Sequence, residues 1–564
     1  MKKSGYIESF VFGLLHSKNK KIAVLLLTLV LFIISIMLIP TVAVKAKLLP
    51  KPTADSFTIY VDLPEGKSIY ETKEVTSCIV QKLKDEEIIT DMSVYLGESA
   101  PVDFSAMLKG RLFASSRNVA NIVVNLKKDE DRDENSLLAV HRLRPLIQNG
   151  CSINEANIKM IELPAGPPVL ASLVLEITSD GSQEKIEHLV DRVADIFRKT
   201  ETLVDIDVQS DESYTEYAIS LNEKKIAQAN LTPEQVKKIL YLAFEGMDIA
   251  FINEVDANNQ IPIHLSLDRK TKTIMQADKA DLMNKFSALN LMNAQGMLIP
   301  LNELVTIKER TNEHKIMSKN LTPIVSVIAE ADMESPIYPL LSARDTIIEE
   351  LTDNYTIEKT KFLDLKLTDK KSGEYFNLHW DGEQKLTMDT FTDLGLSLGV
   401  AIVMVFFLMV LYYQSFYLAW AISIASFISV AGVIYIHFFI DIFTENTFYL
   451  TGTSLIGFIA LIGINSRNSL LIIDFAKQLI EEQNMDVENA IAVSVQTRAK
   501  PILLTVLAIV FASLLLATDP VFSGLGVALI GGTLIAYIVS LYVVPILIHG
   551  GLLKQYLKIG EDNE

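Results

Sequence analysis

Cysteine and tryptophan are scarce in this chain of 564 residues, which has only two of each. The cysteines, Cys78 and Cys151, do not have the spacing of a metal site. A disulfide between them needs an oxidising compartment and a short distance between the two α-carbons, and one sequence does not give that distance. The oxidation state of the pair is therefore open at this point.

The sequence also lacks the signatures of enzymes and of nucleic-acid-binding proteins. It contains no Walker loop, no nucleophile elbow and no metal ligands at a recognised spacing. Its net charge is -18, and no basic stripe interleaved with aromatic residues occurs. We therefore expect no enzymatic activity, no cofactor, no resident metal ion and no nucleic-acid partner.

Uncharged apolar runs are what the chain has in excess, and 49% of its residues are hydrophobic. The first run, residues 22–39, is just long enough to cross a bilayer as a helix. Lysines precede it, which indicates a cytoplasmic N-terminus. The alternative is a secretory signal cleaved after Ala46, but the run is longer than a signal core and Lys45 and Lys47 flank it. We expect an uncleaved membrane helix over 22–45, preceded over 1–21 by an amphipathic helix on the cytoplasmic membrane face.

Five further apolar runs bring the expected number of membrane-spanning helices to six, which places both termini in the cytoplasm. Pro501 opens the fourth of these runs, where the first turn of a helix tolerates proline. An amphipathic surface helix is predicted just before it, over 481–496. The runs cover residues 393–413, 417–440, 447–473, 501–518 and 524–549.

Residues 48–389 contain no such run and lie outside the cytoplasm in this arrangement. Strand and helix periodicities alternate there in the split βαβ order of a ferredoxin-like fold, and the order occurs twice. The second copy is interrupted by about 100 residues with strands and helices of their own, which indicates an inserted domain. The predicted elements are strands at 57–63, 92–96, 121–126, 158–163, 171–177, 204–208 and 323–329, and helices at 68–83, 134–148, 185–198 and 337–351.

The segment 97–118 is long for a connection between two strands, and long ordered loops are often functional. Its apolar side chains either line a path for an apolar ligand or pack the loop onto its own subdomain. The sequence leaves both readings open for Phe104, Met107, Leu112 and Phe113.

The stretch 461–477 places an arginine, Arg467, inside an otherwise apolar membrane helix. Estimates of the cost of an unpaired charge at the bilayer centre run from about 2.5 to above 10 kcal/mol, so such residues normally face a bundle interior and have a partner. In the alternative, the helix tilts and Arg467 extends to the headgroups. Four polar neighbours make the site wider than that alternative requires, namely Asn465, Ser466, Asn468 and Ser469.

Arg498 follows Arg467 by 31 residues and begins the next span. If the two spans are antiparallel neighbours, Arg498 approaches the cytoplasmic end of the same polar path, and Thr505 lies about two turns further in. Buried cations need anions, and the spans contain none at that depth. We therefore expect carboxylates from elsewhere to compensate Arg467.

Two motifs carry a resemblance to a known family: Gly463-Ile-Asn-Ser-Arg467-Asn468, continuing to Asp474-Phe-Ala, and Arg498-Ala-Lys-Pro501-Ile-Leu-Leu-Thr505. With the order of one span, a large α/β region and five spans, the chain resembles the C-terminal half of a resistance-nodulation-division (RND) efflux transporter of the multidrug branch. The resemblance implies that Arg467 pairs with aspartates of the N-terminal half, that Arg498 and Thr505 support the proton relay, and that Asn468 is a weaker hydrogen-bonding candidate.

This chain differs from the family pattern in two respects. The relay cation is often lysine, whereas arginine stays protonated and suits a fixed counter-ion. The half that carries the aspartates is absent from the sequence. We therefore expect a separately encoded N-terminal half, in a trimer of heterodimers with a periplasmic adaptor and an outer-membrane channel. The expected location is the inner membrane of a Gram-negative bacterium.

The expected fold is a six-helix membrane domain with a large α+β periplasmic domain of ferredoxin-like repeats. The expected function is proton-driven export of amphiphilic small molecules. The alternatives are a scaffold without transport of its own and an RND exporter of metal ions or lipids. The predicted divisions are the cytoplasmic helix 1–21, membrane helix 22–45, a first porter-type subdomain 48–168, a second at 169–209 plus 309–389, a docking-type insertion 210–308, membrane helices 390–552 and a tail 553–564.

Overall fold

The computed structural model of the protein describes residues 5–561, apart from 102–103, 112–113, 164–165, 167–168, 180–182, 211–213, 256, 258, 269–278, 313–315, 362 and 445–446. The chain forms two compact units. One comprises residues 1–209 and 317–564, and the other comprises residues 210–316.

The first unit begins with two helices, α1 (Tyr6–His16) and α2 (Lys18–Met37). Val11, Leu14 and Leu15 of α1 are buried against membrane helices, whereas most of α2 is exposed. The short helix is thus amphipathic, and the long one is apolar on nearly every face.

A first α/β subdomain follows, with four antiparallel strands in the order β2-β3-β1-β4. Alternate strand residues such as Ile59 and Ile122 face two helices and form its core. A disulfide joins Cys78 to Cys151 across those helices, with the α-carbons 5.7 Å apart. The elements are β1 (Ser56–Asp62), α3 (Ile69–Leu83), β2 (Ile89–Glu98), α4 (Phe104–Leu108), β3 (Ser115–Leu126), α5 (Ser136–Cys151) and β4 (Asn157–Ile161).

A second α/β subdomain starts with β5, α6 and β6, and the chain then enters the second unit. The described residues of that unit form three two-stranded sheets, which pair β7 with β12, β8 with β9 and β10 with β11. Phe286 and Val236 are central to its own core. The elements are β5 (Leu173–Ser179), α6 (Gln183–Lys199), β6 (Leu203–Val208), β7 (Thr215–Leu221), α7 (Glu223–Gln228), α8 (Pro233–Phe244), β8 (Met247–Ile252), β9 (Ile261–Leu265), α9 (Lys279–Ala288), β10 (Asn290–Met292), β11 (Leu298–Pro300), α10 (Leu301–Leu304) and β12 (Val305–Thr311).

The chain returns to complete the second subdomain, whose strands run in the order β13-β14-β5-β17-β16-β15, with β6 also paired to β14. Three of its strands, at residues 355–381, extend the sheet beyond the repeat that the sequence predicts. The elements are β13 (Ser318–Lys319), β14 (Thr322–Ala331), α11 (Ile337–Leu351), β15 (Tyr355–Lys359), β16 (Leu365–Asp369) and β17 (Tyr375–Asp381).

Seven helices complete the described part of the first unit. In the described part of the chain, six stretches of helix are long and apolar enough to cross a membrane: Lys18–Met37, Glu383–Tyr413, Phe416–Phe443, Gly452–Gln483, Val487–Ala517 and Ser523–Tyr542. The seven helices are α12 (Glu383–Tyr413), α13 (Phe416–Ile428), α14 (Val430–Phe443), α15 (Gly452–Gln483), α16 (Val487–Ala517), α17 (Ser523–Tyr542) and α18 (Val544–Glu561).

Pro501 does not open a helix, so that prediction was wrong. It lies inside α16, which joins most of the predicted surface helix to the next span. The surface helix predicted over 481–496 is likewise not separate, because α15 continues to Gln483 and ends at Asn484 in the left-handed conformation (φ 49°). Asp486 then caps α16 by accepting a hydrogen bond from the Asn489 amide at 3.1 Å.

Candidate functional site

The polar side chains at residues 465–469 of α15 point in two directions. Asn465, Ser466, Asn468 and Ser469 are all buried. The amide of Asn465 donates to the Ala425 carbonyl at 2.7 Å and accepts from Ser540 at 3.3 Å. These contacts tie α15 to α13 and α17, so part of the polar stretch serves helix packing.

Arg467 lies on the other face of α15 and is exposed at the surface of this chain. It continues an uncovered stripe of Ile456, Ala460 and Gly463, at spacings of three and four residues. An added Cβ at Gly463 would meet nothing within 4 Å. Across the described residues, Arg467 forms no ion pair. The structure thus places a fixed positive charge on an apolar face that no part of the described chain covers.

The acidic residue nearest to Arg467 along α15 is engaged elsewhere. Asp474 accepts hydrogen bonds from the phenols of Tyr413 at 2.8 Å and Tyr412 at 3.2 Å. Both tyrosines end α12, so these bonds join α12 to α15. Asp474 therefore does not act as the counter-ion of Arg467.

Asn468 is next to Arg467 in sequence but points into the helix bundle. It is 1% exposed, and its side-chain nitrogen has no hydrogen-bond partner among the described residues. The same holds for the hydroxyl oxygen of Ser469. These two adjacent residues thus place unpartnered polar groups in the buried interior next to the arginine in sequence.

The other two predicted relay residues lie on α16, which packs against α15. The guanidinium of Arg498 lies over the ring of Phe475, 4.8 Å from its centroid, and its buried Nε has no partner among the described residues. Thr505 is exposed, and its hydroxyl donates to the Ile502 carbonyl of its own helix at 2.8 Å. The structure therefore brings Arg498 to α15 but does not bond Thr505 to either arginine.

The predicted ligand path is described only in part. Met107 lies on α4 and is 45% exposed. Phe104 begins the same helix, but its side chain lies outside the described part of the structure, as do residues Leu112 and Phe113 altogether. The path remains a prediction.

Sequence reasoning missed a set of ion pairs between the two α/β subdomains. Arg144 donates to Asp205 at 2.6 Å, and Lys109 donates to Glu330 at 2.7 Å. Lys159 with Asp207 extends the set, and Lys51 pairs with Glu162 beside it, within the first subdomain. Charged residues inside strands that otherwise read as buried, at 158–163 and 204–208, were the available signal.

Burial and neighbouring charges determine the protonation of this ionic cluster. Burial would raise the pKa of Glu330, but the ammonium groups of Lys109 and Lys51 outweigh it and hold the pKa at about 2. Lys47 lies nearby, where the carboxylates of Glu383, Glu162 and Glu330 compensate it only in part. Its burial, together with the charge of Lys51, lowers its pKa to about 8.

Residues 3–549 match the sequence model of the AcrB/AcrD/AcrF family. The chain is 22% identical over 517 residues to "Multidrug export protein AcrF" of Escherichia coli, covering 88% of this chain and 45% of that protein. It is 22% identical over 421 residues to "Multidrug resistance protein MdtC" of Proteus mirabilis, covering 70% of this chain and 37% of that protein. The chain thus spans less than half the length of these curated relatives.

A solved structure shows the same fold. The crystal structure of a heavy metal efflux pump superposes with a TM-score of 0.68 at 14% identity, over 96% of this chain and 52% of the other.

Proposed function

This chain belongs to the AcrB/AcrD/AcrF family, and from that premise we propose that it is one half of a proton-driven RND efflux pump that exports amphiphilic small molecules. The half that it resembles is the C-terminal one. In this proposal a separate polypeptide supplies the N-terminal half, and three such pairs form the pump in the inner membrane of a Gram-negative bacterium.

The exposed position of Arg467 is the observation that carries this proposal. A guanidinium on an apolar membrane helix is costly unless a carboxylate pairs with it. Asp474 is held by two tyrosines, and no other described acid pairs with Arg467. A second half that covers the stripe Ile456, Ala460, Gly463 and Arg467 would bury the apolar residues and supply the aspartates.

We propose that a change in the charge opposite Arg467 drives the transport cycle. A proton that enters from outside neutralises an aspartate, and the attraction to the permanently charged guanidinium then weakens. Helix α15 shifts relative to its neighbours, including α12, to which Asp474 is bonded. In this scheme Arg498 and Asn468 keep the surroundings of Arg467 polar, and Thr505 supports the relay from α16.

The connection from α12 to the outer domain is direct. Strand β17 ends at Asp381 and α12 begins at Glu383, with Gly382 alone between them. Because β17 pairs with β5 near the middle of the large sheet, a shift of α12 reaches the second subdomain without an intervening loop. We propose that this movement opens and closes a substrate path past Met107, with Phe104, Leu112 and Phe113 contributing.

The finer architecture belongs to the same proposal. We assign six spans, two ferredoxin-like repeats at 48–168 and at 169–209 plus 309–389, and a docking-type insertion at 210–308 that meets a periplasmic adaptor and outer-membrane channel. The strand order β2-β3-β1-β4 supports the first repeat. The disulfide between Cys78 and Cys151 supports an extracytoplasmic location.

Affinity purification from native membranes in mild detergent, followed by mass analysis, tests the proposal. We expect a second protein of similar size in equal amount, with aspartates inside a predicted membrane helix. Recovery of this chain alone would overturn the two-chain pump and the proposed source of the proton acceptors.

A further inference from the structure

An apolar groove of about 600 Å³ runs beside the first membrane helix, within the range of roughly 300–1,000 Å³ that ligand sites occupy. Helices α2, α12 and α13 line it, and Leu547 of α18 lies on its wall. It opens at the surface of the chain, since Leu29 is 52% exposed and Trp420 is 61% exposed. Its hydroxyl groups are bonded within their own helices: Thr28 donates to Val24 and Ser423 donates to Ala419.

The face of α2 that lines this groove begins with two lysines. Lys18 and Lys21 precede Leu25, Thr28, Leu29 and Phe32 at intervals of three and four residues, so all six lie on one face of the helix. Lys21 also marks the end of the groove in space, because its ammonium donates to Nδ1 of His549 at 3.2 Å and His549 follows Leu547 by two residues. The rings of Phe32 and Phe427 meet at 5.3 Å three turns further along.

We propose that this groove holds an acyl chain of an anionic phospholipid whose headgroup binds Lys18 and Lys21. Lipid tails are as apolar as the groove wall, so the tail alone gives little preference. Basic residues at the membrane surface attract anionic headgroups, and here they provide the selection. Glu488 lies 3.4 Å from His549 and offsets part of the positive charge, which leaves the two lysines in excess. The site lies in the cytoplasmic leaflet if the orientation proposed above holds.

A lipid fits this groove better than the second half of the pump does. Among the residues that the structure describes, none of α15 or α16 lines the groove, whereas the stripe with Arg467 belongs to α15. The partner half and the lipid would therefore contact different helices.

Native mass spectrometry of the full chain, purified in detergent and stripped of lipid, tests this site. The probes are dioleoyl phosphatidylglycerol and dioleoyl phosphatidylcholine, which share their tails and differ in charge. We expect one phosphatidylglycerol to bind about tenfold or more tightly than phosphatidylcholine. The double variant Lys18→Gln/Lys21→Gln should bring the ratio of affinities close to one, and Leu29→Trp should weaken both lipids by filling the groove.

Matched controls come from the same helix. Lys20→Gln removes an exposed lysine from another face, and Leu27→Trp adds an indole to a side chain that is 60% exposed outside the groove. Both variants should bind like the wild type. An equal effect of Lys20→Gln, equal binding of the two lipids, or displacement of bound lipid by the cationic amphiphile tetraphenylphosphonium would overturn the proposal. Binding is measured without partner or transport, so failure of the pump proposal would leave this result unchanged.

Discussion

Arg144 and Asp205 form a buried ion pair across the two α/β subdomains, with Nη1 and Oδ2 2.6 Å apart. The other carboxylate oxygen of Asp205 accepts from Gln148 at 3.1 Å and from the Met160 amide at 3.3 Å. Asp205 has a φ of 53°, a conformation that few residues other than glycine adopt. The backbone is therefore held in an unfavourable conformation at the residue that joins α5 and β4 to β6.

We expect Asp205→Ala to destabilise the protein by about 3–5 kcal/mol, because it leaves the Arg144 guanidinium buried without its paired carboxylate. The melting temperature of the purified chain in detergent measures the effect. The double variant Arg144→Met/Asp205→Asn should recover much of the loss, because asparagine tolerates the positive φ and its side-chain oxygen still accepts from Gln148 and Met160. Asp195→Ala is the matched control, because it breaks an ion pair with Arg198 in which both side chains are more than half exposed. Equal melting of the Asp205 and Asp195 variants would contradict a structural role for the buried pair.

The low pKa of Glu330 predicts that the folded protein loses stability in acid. Its folded pKa of about 2 lies below the ordinary value of 4.5, so the carboxylate stabilises the fold above pH 4.5, and this contribution is lost as the pH falls from 4.5 toward 2. The full difference corresponds to at most about 3 kcal/mol. We expect the melting temperature of the purified Glu330→Gln chain to change less with pH between pH 6 and pH 3 than that of the wild type.

The control for this titration is Glu349→Gln on the exposed face of α11. It removes a carboxylate without touching the ionic cluster and should melt like the wild type at every pH. A Glu330→Gln profile parallel to that of the wild type would show that Glu330 does not titrate as the cluster implies.

Apolar periodicity predicted much of this fold because a buried face leaves a regular pattern in the sequence. The strands at residues 355–381 were missed although the pattern is present, because Leu365 and Leu367, and then Phe376, Leu378 and Trp380, alternate with polar residues and are buried. The sequence prediction also began a helix at Pro501, although α16 begins at Val487 and continues through that residue. The sequence could not predict that Arg467 faces outward from this chain. Helical periodicity puts Arg467 on a different face from Asn465 and Ser469, but it does not say which of the two faces the rest of the chain covers.

In the proposed two-chain pump, Arg467→Ala should abolish proton-coupled export, since no cation would then face the aspartates proposed for the second half. Drug accumulation in cells that express both halves measures the effect, and co-purification of the halves checks assembly, which we expect to persist. Arg467→Lys keeps the charge but loses the bidentate geometry, so it should retain part of the activity. Lys500→Ala removes an exposed cation near Arg498 as a matched control and should export normally. Unchanged export by Arg467→Ala would contradict the counter-ion role.

Gly382 connects β17 to α12 and has a φ of 88°. A Cβ at this position would lie 2.6 Å from the Ala171 carbonyl oxygen and 3.1 Å from Val174. We expect Gly382→Ala to cost about 1–3 kcal/mol through the unfavourable φ, and more through the clash with the backbone. The melting temperature in detergent measures this cost. Gly395→Ala and Gly399→Ala are matched controls in α12, where an added Cβ meets nothing within 4 Å.

The same variant tests whether this junction transmits helix movement to the sheet. If it does, export by Gly382→Ala should fall even at temperatures where the protein remains folded, whereas the two controls should export like the wild type. Normal export by a folded Gly382→Ala would mean that the movement reaches the second subdomain by another route.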